Sequence, residues 1–263
     1  MYRPLAPAAL VAMLVLAACS GPAAQPNIDD PNEILTRSVE AMAGVESVHF
    51  VLALDGTINV AEMGGGSMAL NGTELEGRLA MDGSAAEMSF AVPAFLGLAG
   101  EMRLIGDEAF VKTTMTGPMW LRQAVEEGGD DPFAQAGDPE QALDELRSFL
   151  DTDGVVIEKL ADIECGESTC YQLEIAIGAE VFADSPEAAA AAPEVLEALG
   201  EGLTFNARFQ KESLYMAAVS TSFEDEEMGS LSLTMTFDEY GEPVNVEPPP
   251  ADEVTDGDGF TLP

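Results

Sequence analysis

Alternation of apolar and polar residues is the feature of this sequence that most restricts its fold. In residues 230–237 every second residue is apolar, and those between are serine or threonine. Successive side chains of a β-strand point to opposite faces of the sheet, so this pattern predicts a strand with one buried and one solvated face. The same period recurs over 48–54, 75–81, 88–92 and 203–209. These stretches predict an antiparallel sheet joined by hairpins.

Three other stretches predict helices. An Asp-Pro-x-Glu capping pattern at 30–33 opens the first, which ends at Gly44. A second helix is predicted from Asp138, and an alanine-rich third from Ser185, with a kink at Pro193. The fold class predicted is α+β: a strongly curved antiparallel sheet, or half-barrel, with the helices packed over its concave apolar face. Asp55-Gly56 is predicted to be a turn, and the strands are expected to pause around Trp120.

The N-terminal residues are typical of an export signal. Arg3 precedes an apolar run, residues 8–18, that is shorter than the roughly 20 residues of a membrane-spanning helix. Leu16-Ala17-Ala18 directly before Cys19 looks like a bacterial lipoprotein cleavage site. Cys19 would then become the first residue and carry a thioether-linked diacylglycerol, which anchors the chain. Ordinary secretion, with Cys19 left as an odd thiol, is the alternative.

These features predict four segments. Residues 1–18 are a signal peptide, and 19–31 are a lipidated flexible tether of small, polar and proline residues. Residues 32–250 form one folded domain, and 251–263 form an acidic flexible tail. We expect the domain to lie at the cell membrane on its extracytoplasmic face.

Two cysteines remain in the exported chain. Cys165 and Cys170 are five residues apart across a Gly-containing turn, and export leads to an oxidising compartment. The spacing predicts a small disulfide that closes a hairpin. A metal or redox pair is the competing interpretation, but the two-residue C-x-x-C spacing is missing.

The charge balance excludes one class of partner. The chain has 48 acidic and 10 basic residues, a formal net charge of −38. Such a chain repels phosphate backbones, so we expect no nucleic acid binding. The Asp-rich stretches 151–154 and 256–259 lack the first acidic ligand of a calcium-binding loop and are interpreted as turns. We predict no metal site and no cofactor.

Catalytic motifs are missing from the sequence. The single histidine, His49, lies on a predicted strand, on the side opposite Phe50. The sequence has no G-x-S-x-G elbow, phosphate-binding loop, H-E-x-x-H or dinucleotide fingerprint. We therefore predict that the protein is not an enzyme.

Apolar surface is the remaining candidate for function. Several methionines lie on the apolar stripes among Phe and Leu, and methionine suits surfaces that adapt to flexible apolar partners. The sharper hypothesis is an apolar pocket between sheet and helices, and the alternative is a filled core. The candidate lining residues share the apolar side of the predicted strands: Phe50, Leu52, Leu79, Met81, Phe90, Leu104, Leu233, Met235 and Phe237.

Several short motifs together resemble a known family. They are the lipidation signal, the short first helix, residues 45–50 leading into a β-meander, Gly-Pro-Met-Trp at 117–120, and residues 240–249. This combination resembles actinobacterial envelope lipoproteins of the LppX/LprG type, which are related in shape to the LolA/LolB lipoprotein carriers. The resemblance implies a half-barrel with helices across its mouth, enclosing a cavity for acyl chains of glycolipids or lipoproteins.

The predicted function follows from the stripes and the resemblance. We expect a monomeric, lipid-anchored protein that binds a lipid or acylated amphiphile and carries it across the envelope without bond chemistry. An envelope transport protein is the partner class that this implies. The alternative is a non-catalytic interaction module with a filled core and an acidic partner-binding surface.

Overall fold

The computed structural model describes residues 27–59, 66–125, 148, 150, 152–166, 168–179, 181, 202–225 and 229–257. One α-helix is described along its whole length: α1, Pro31–Met42. The strands of the N-terminal half are β1 Ser47–Asn59, β2 Ser67–Ala69, β3 Thr73–Ala80, β4 Ala85–Val92, β5 Leu98–Ile105, β6 Glu108–Thr113 and β7 Trp120–Ala124. Those of the C-terminal half are β8 Val155–Lys159, β9 Ile163–Cys165, β10 Ser168–Ile177, β11 Leu203–Gln210, β12 Met216–Asp225, β13 Gly229–Asp238 and β14 Val254–Asp256.

All these strands belong to one open, curved sheet. Its order is β14-β7-β6-β5-β4-β3-β1-β13-β12-β11-β10-β8, with β2 paired to β1 and β9 to β10. Every pairing is antiparallel except that of β14 with β7. The predicted antiparallel half-barrel is therefore confirmed. The turns alternate between two ends: β3–β4, β5–β6 and β11–β12 lie at one end, and β4–β5, β6–β7 and β12–β13 at the other.

Helix α1 begins as the capping pattern predicts. The Asp30 carboxylate accepts a hydrogen bond from the Asn32 backbone amide at 3.0 Å, and Pro31 occupies the first helical position. Glu33 pairs with Arg37 at 2.6 Å, one turn further on. The helix buries Ile34 and Leu35 against the sheet. No helix in the described ranges is long and apolar enough to cross a bilayer.

The packed core lies under α1, at the β8–β10–β11 side of the sheet. Tyr171, Leu173 and Phe209 are 2%, 0% and 1% exposed, and they pack with Ile34 and Leu35. Register pairs Tyr171 with Phe209, so these side chains share one face of the sheet. Helix α1 therefore covers the apolar face, as the sequence predicts for its helices.

The chain is bound to the fold before α1 begins. Ile28 is buried in the core, and its backbone amide donates to the Tyr171 hydroxyl at 3.1 Å. The Lys211 ammonium donates to the Asn27 side-chain oxygen at 3.1 Å. Residues 27–31, which the sequence assigns to the flexible tether, are thus part of the fold. Their predicted tether role fails because Ile28 is apolar enough to join the core.

The C-terminal segment crosses the sheet and ends at its far edge. Ser47 donates its hydroxyl proton to the Glu242 carbonyl at 2.5 Å, and Arg103 donates to the Glu247 carbonyl at 2.8 Å. β14 then pairs in parallel with β7, and the Arg122 guanidinium donates to Asp256 at 2.6 Å. Residues 251–257, predicted as part of a flexible acidic tail, are therefore ordered, because the open edge of β7 supplies backbone partners. Residues 258–263 lie outside the described range.

Two further local predictions are wrong. β1 runs straight through the predicted Asp55-Gly56 turn, because Gly56, with φ +133°, lets the β13 backbone approach closely. The expected pause around Trp120 is instead the start of strand β7, which is held by β6 on one side and β14 on the other. The second predicted helix lies mostly outside the described residues, although Ser148 and Leu150 are helical. The third lies outside them.

Replacing Gly56 with alanine should destabilise the protein. A Cβ at this position would contact the Ser230 carbonyl oxygen, and the backbone conformation is one that L side chains rarely adopt. We expect the free energy of unfolding in urea to fall by about 1–3 kcal/mol. The matched control is Gly44→Ala, where an added Cβ has no neighbour within 4 Å and should cost nothing. Equal stability of the two variants would contradict this account.

Candidate functional site

Eight of the nine predicted lining residues lie on five neighbouring strands, β13, β1, β3, β4 and β5. Directly opposed residues in an antiparallel pair share one face. Phe50 of β1 lies opposite Phe237 of β13, and Leu52 lies opposite Met235. The registers continue across the next strands without a shift. The structure therefore brings these side chains together on the face that α1 covers further along the sheet.

Leu79 and Leu104 meet on this face through a small residue. Both lie opposite Ala86 of β4, which is 2% exposed. Met81 differs from the other eight, because it lies one residue beyond the end of β3. Its backbone amide donates to the Glu46 carbonyl at 2.9 Å, at the rim of the sheet.

Two glycines make room for the aromatic rings of this face. Phe50 lies opposite Gly77, and Phe90 lies opposite Gly100. A Cβ added at Gly77 would lie 3.1 Å from the Phe50 ring, and one at Gly100 would lie 2.6 Å from the Phe90 ring. Each ring thus rests directly on the neighbouring backbone. Because the glycines have no side chain, the rings of Phe50 and Phe90 lie closer to the sheet.

Burial divides the apolar face into two regions. Under α1 its residues are almost fully buried, with Leu173 at 0% exposure. Over β13, β1, β3, β4 and β5, the eight predicted lining residues are only half-buried, as is Met81 just beyond β3. We call this second region the open apolar face. Side chains of the open apolar face keep apolar surface that the described residues do not bury. Those of the α1 region are already buried.

Two depressions of ligand size lie elsewhere along the sheet. One of about 670 Å³ lies on the polar face, where Asp55, Thr57, Ser222 and Ser230 line it among others. Another, of about 400 Å³, lies where β4, β5 and β6 meet and is lined by residues of both registers, Phe90 and Lys112 among them. Neither is an enclosed pocket within the open apolar face.

The opposite face of the same strands is charged. His49 contacts Asp238 of β13 through Nδ1 at 2.5 Å and Glu76 of β3 through Nε2 at 3.2 Å. Beside it, Arg78 pairs with Glu239 at 2.5 Å. Burial of the imidazole lowers the pKa of His49, but the hydrogen bonds to both carboxylates outweigh this effect. The net pKa of His49 lies above the ordinary 6.5.

This charged face holds a shallow depression of about 380 Å³, lined by His49, Arg78, Glu87 and Arg103 among others. Its histidine is engaged by carboxylates on both ring nitrogens. Among the described residues, no group of three or more His, Cys, Asp or Glu is placed to hold a metal ion. The absence of enzyme activity stays a prediction from the sequence.

The two exported cysteines form the predicted disulfide. Cys165 ends β9 and Cys170 lies in β10, and the bond joins their hairpin. Because both sulfurs take part in this bond, neither is free to bind a metal. Cys19 lies outside the described residues, so its lipidation stays a prediction.

Sequence reasoning missed the glycines of the open apolar face. Gly77 stands on the apolar stripe between Leu75 and Leu79, where a strand pattern leads one to expect a large side chain. The signal was an isolated glycine within a strand pattern, which often marks a close approach to another group. Its partner, Phe50, could not be identified without the register.

The fold and its half-buried apolar face define a class of structure: an open antiparallel half-barrel with a helix laid on one part of its apolar side. No protein-family model matches the sequence, and no curated protein sequence matches it. LprF from Mycobacterium bovis superposes with a TM-score of 0.54 at 15% identity, over 83% of this chain and 96% of LprF.

Two further solved structures are similar over comparable lengths. The lipoprotein LppX from Mycobacterium tuberculosis has a TM-score of 0.49 at 16% identity, over 82% of this chain and 97% of LppX. A LolA superfamily protein from Nitrosomonas europaea has a TM-score of 0.26 at 9% identity, over 83% of this chain and 95% of that protein. The LprF superposition has the highest TM-score of the three and shows a shared fold. The resemblance predicted from the sequence is confirmed for the fold.

His49 should make stability depend on pH. Because its pKa is raised in the folded state, its interactions stabilise fully below the unfolded pKa and are lost as pH rises through the folded pKa. We expect His49→Gln to lower the free energy of unfolding more at about pH 5.5 than at about pH 8.5. The control is Ser222→Gln, an exposed position on β12. A loss that is equal at both pH values would contradict the stabilising role of the charged imidazole.

Proposed function

We propose that this protein binds a lipid or other acylated amphiphile on its open apolar face and carries it within the cell envelope. We propose that residues 32–250 supply the binding domain, and the packing of Ile28 and the pairing of β14 with β7 support including residues 27–31 and 251–257 in it. The observation that carries the proposal is the open apolar face. It is continuous over five strands yet only half-buried, beside a region of the same face that is fully packed.

Binding needs no bond chemistry under this proposal. An acyl chain laid on the open apolar face would lose contact with water, which contributes about 0.8 kcal/mol per buried methylene. Because the rings of Phe50 and Phe90 pack onto the backbone at Gly77 and Gly100, they rise less far above the sheet and such a chain can lie over them. Methionine side chains, such as Met88 and Met102, are flexible enough to pack against chains of varied shape.

The proposed location follows from the N-terminal signal. We propose that Cys19 carries the lipid anchor and that the domain works on the extracytoplasmic side of the membrane. The disulfide in the β9–β10 hairpin supports export, because disulfides persist in oxidising compartments. An envelope transport protein is the proposed partner, and the proposed unit is a monomer. The shared fold with LprF agrees with this assignment without naming a cargo.

Native mass spectrometry of the mature protein, purified from its host, tests the proposal directly. We expect a co-purifying lipid in near-stoichiometric amount, which organic extraction would then release and identify. A protein that is empty, and still empty after incubation with envelope lipids, would overturn the carrier proposal. It would favour a filled core with an interaction role instead.

Filling the open apolar face should abolish this binding. Leu79→Trp and Leu233→Trp add bulk on the face, and we expect each to weaken binding of the extracted lipid at least about tenfold, or 1.4 kcal/mol. Binding is measured by titration of delipidated protein, in variants whose unfolding midpoints match the parent.

The matched controls add the same bulk to the other side of the sheet. Ser89 and Ser232 are exposed on the charged face, next to Phe90 and Leu233 in sequence. Ser89→Trp and Ser232→Trp should leave lipid binding unchanged. If all four variants bind equally well, the open apolar face is not the binding site.

A further inference from the structure

One end of the sheet carries exposed apolar side chains on two neighbouring turns. Phe95 and Leu96 lie in the β4–β5 turn, and Met115 lies in the β6–β7 turn. Phe95 is 56% exposed, Met115 is 86% exposed, and Leu96 is fully exposed. We call these two turns, residues 93–97 and 114–119, the apolar tip. A patch of exposed apolar side chains often marks an interaction site, whereas single scattered ones do not.

Strand β5, which follows the first turn, holds the second turn beside it. The Thr114 amide donates to the Ala99 carbonyl at 2.8 Å, and the Ala99 amide donates to the Thr114 hydroxyl at 3.3 Å. Leu96 has a φ of +55°, a conformation that branched and bulky residues seldom adopt. Its side chain gains no packing within the described residues in return, since it is fully exposed. The backbone conformation of the turn therefore holds the Leu96 side chain in solvent.

The sequence in and around the apolar tip carries no charge. In a chain with 48 acidic residues, none of residues 88–100 and 113–121 is charged. The other end of the same strands is different: Asp82 and Asp107 occupy the β3–β4 and β5–β6 turns there. The sheet is thus apolar at one end of these strands and acidic at the other. Only the apolar end can approach an anionic lipid surface without strong repulsion.

Several polar groups of the β6–β7 turn have hydrogen-bond partners within the turn itself. The Thr113 amide donates to the Thr116 hydroxyl at 2.9 Å, and the Thr116 hydroxyl reaches the Met119 carbonyl at 3.3 Å. The Met115 amide donates to the Thr113 hydroxyl at 3.2 Å. A turn enters the lipid interface at low cost when its backbone groups already have partners, because lipid supplies none. A docking site for a polar protein surface would not need this arrangement.

From these observations we infer that the apolar tip inserts into the interface of a phospholipid bilayer. The contact is distinct from the proposed lipid anchor, because the chain that follows Cys19 joins the fold at Tyr171 and Lys211, at the other end of the sheet. Strand β4 leads from Phe90, on the open apolar face, to Val92 directly before the tip, so a lipid leaving the bilayer there would meet the open apolar face. Insertion itself does not require that the protein carry cargo.

A single fluorescent label tests the insertion. With Cys19 lipidated and the disulfide intact, Met115→Cys introduces one free thiol for an environment-sensitive dye, and the labelling stoichiometry checks that condition. The mature, host-processed protein is reconstituted into vesicles of phosphatidylethanolamine and phosphatidylglycerol. We expect a blue shift of the dye emission and loss of intensity when nitroxide-labelled lipid is included. Asp107→Cys, labelled in the same way at the acidic end, should show neither effect.

A second substitution separates insertion from mere proximity. Leu96→Asp in the Met115→Cys protein should abolish both the blue shift and the quenching. Val156→Asp, which places the same charge at an apolar residue that is 55% exposed on β8, should leave both unchanged.

Two results would overturn the inference. One is a dye at position 115 that stays as water-exposed as the dye at 107. The other is a response that appears only when an envelope protein is added, which would assign the tip to a protein partner. Lipid binding by native mass spectrometry is measured separately, so failure of the cargo proposal would leave these readouts intact.

Discussion

The pairing of β1 with β13 is the interaction on which the rest of the structure depends. Ten residues of β1 are paired with β13, from His49–Asp238 to Ile58–Gly229. On its other edge, β1 pairs with β3. The strand thus joins a meander of N-terminal hairpins to a meander of C-terminal hairpins, and neither meander alone would make a continuous face. Because the side-chain period of a strand is two, one slip in this register would turn every apolar residue of one half to solvent.

That register also explains why the two faces have different chemistry. The residues that lie between the apolar ones on β1, β3 and β13 form the charged face, where His49 joins Glu76 to Asp238. A strongly acidic chain needs a surface on which its carboxylates stay solvated or find cations. The charged face provides it, and the C-terminal segment crosses there through Arg103 before β14 covers the edge of β7. The apolar face is thereby left to α1 and to the proposed ligand.

The two ends of the sheet have different roles in this arrangement. The chain enters the fold at Ile28, beside Tyr171, whereas Leu96 and Met115 extend from the other end. If the tip inserts into a bilayer as inferred, the open apolar face lies between a tethered end and a membrane-contacting end. A lipid would then pass between bilayer and protein along one continuous apolar surface, without crossing the charged face.

The sequence by itself determined the periodic features of this protein. Alternation identified the strands that carry the open apolar face, the capping pattern located α1, and the cysteine spacing identified the disulfide, because each depends on residues close in the chain. Only the tertiary structure decided that Gly56 lies within a strand, that Ile28 belongs to the core, and that β14 covers the edge of β7. Each of these depends on a partner far away in sequence. Local propensity carries no information about such a partner until the sheet has brought it into contact.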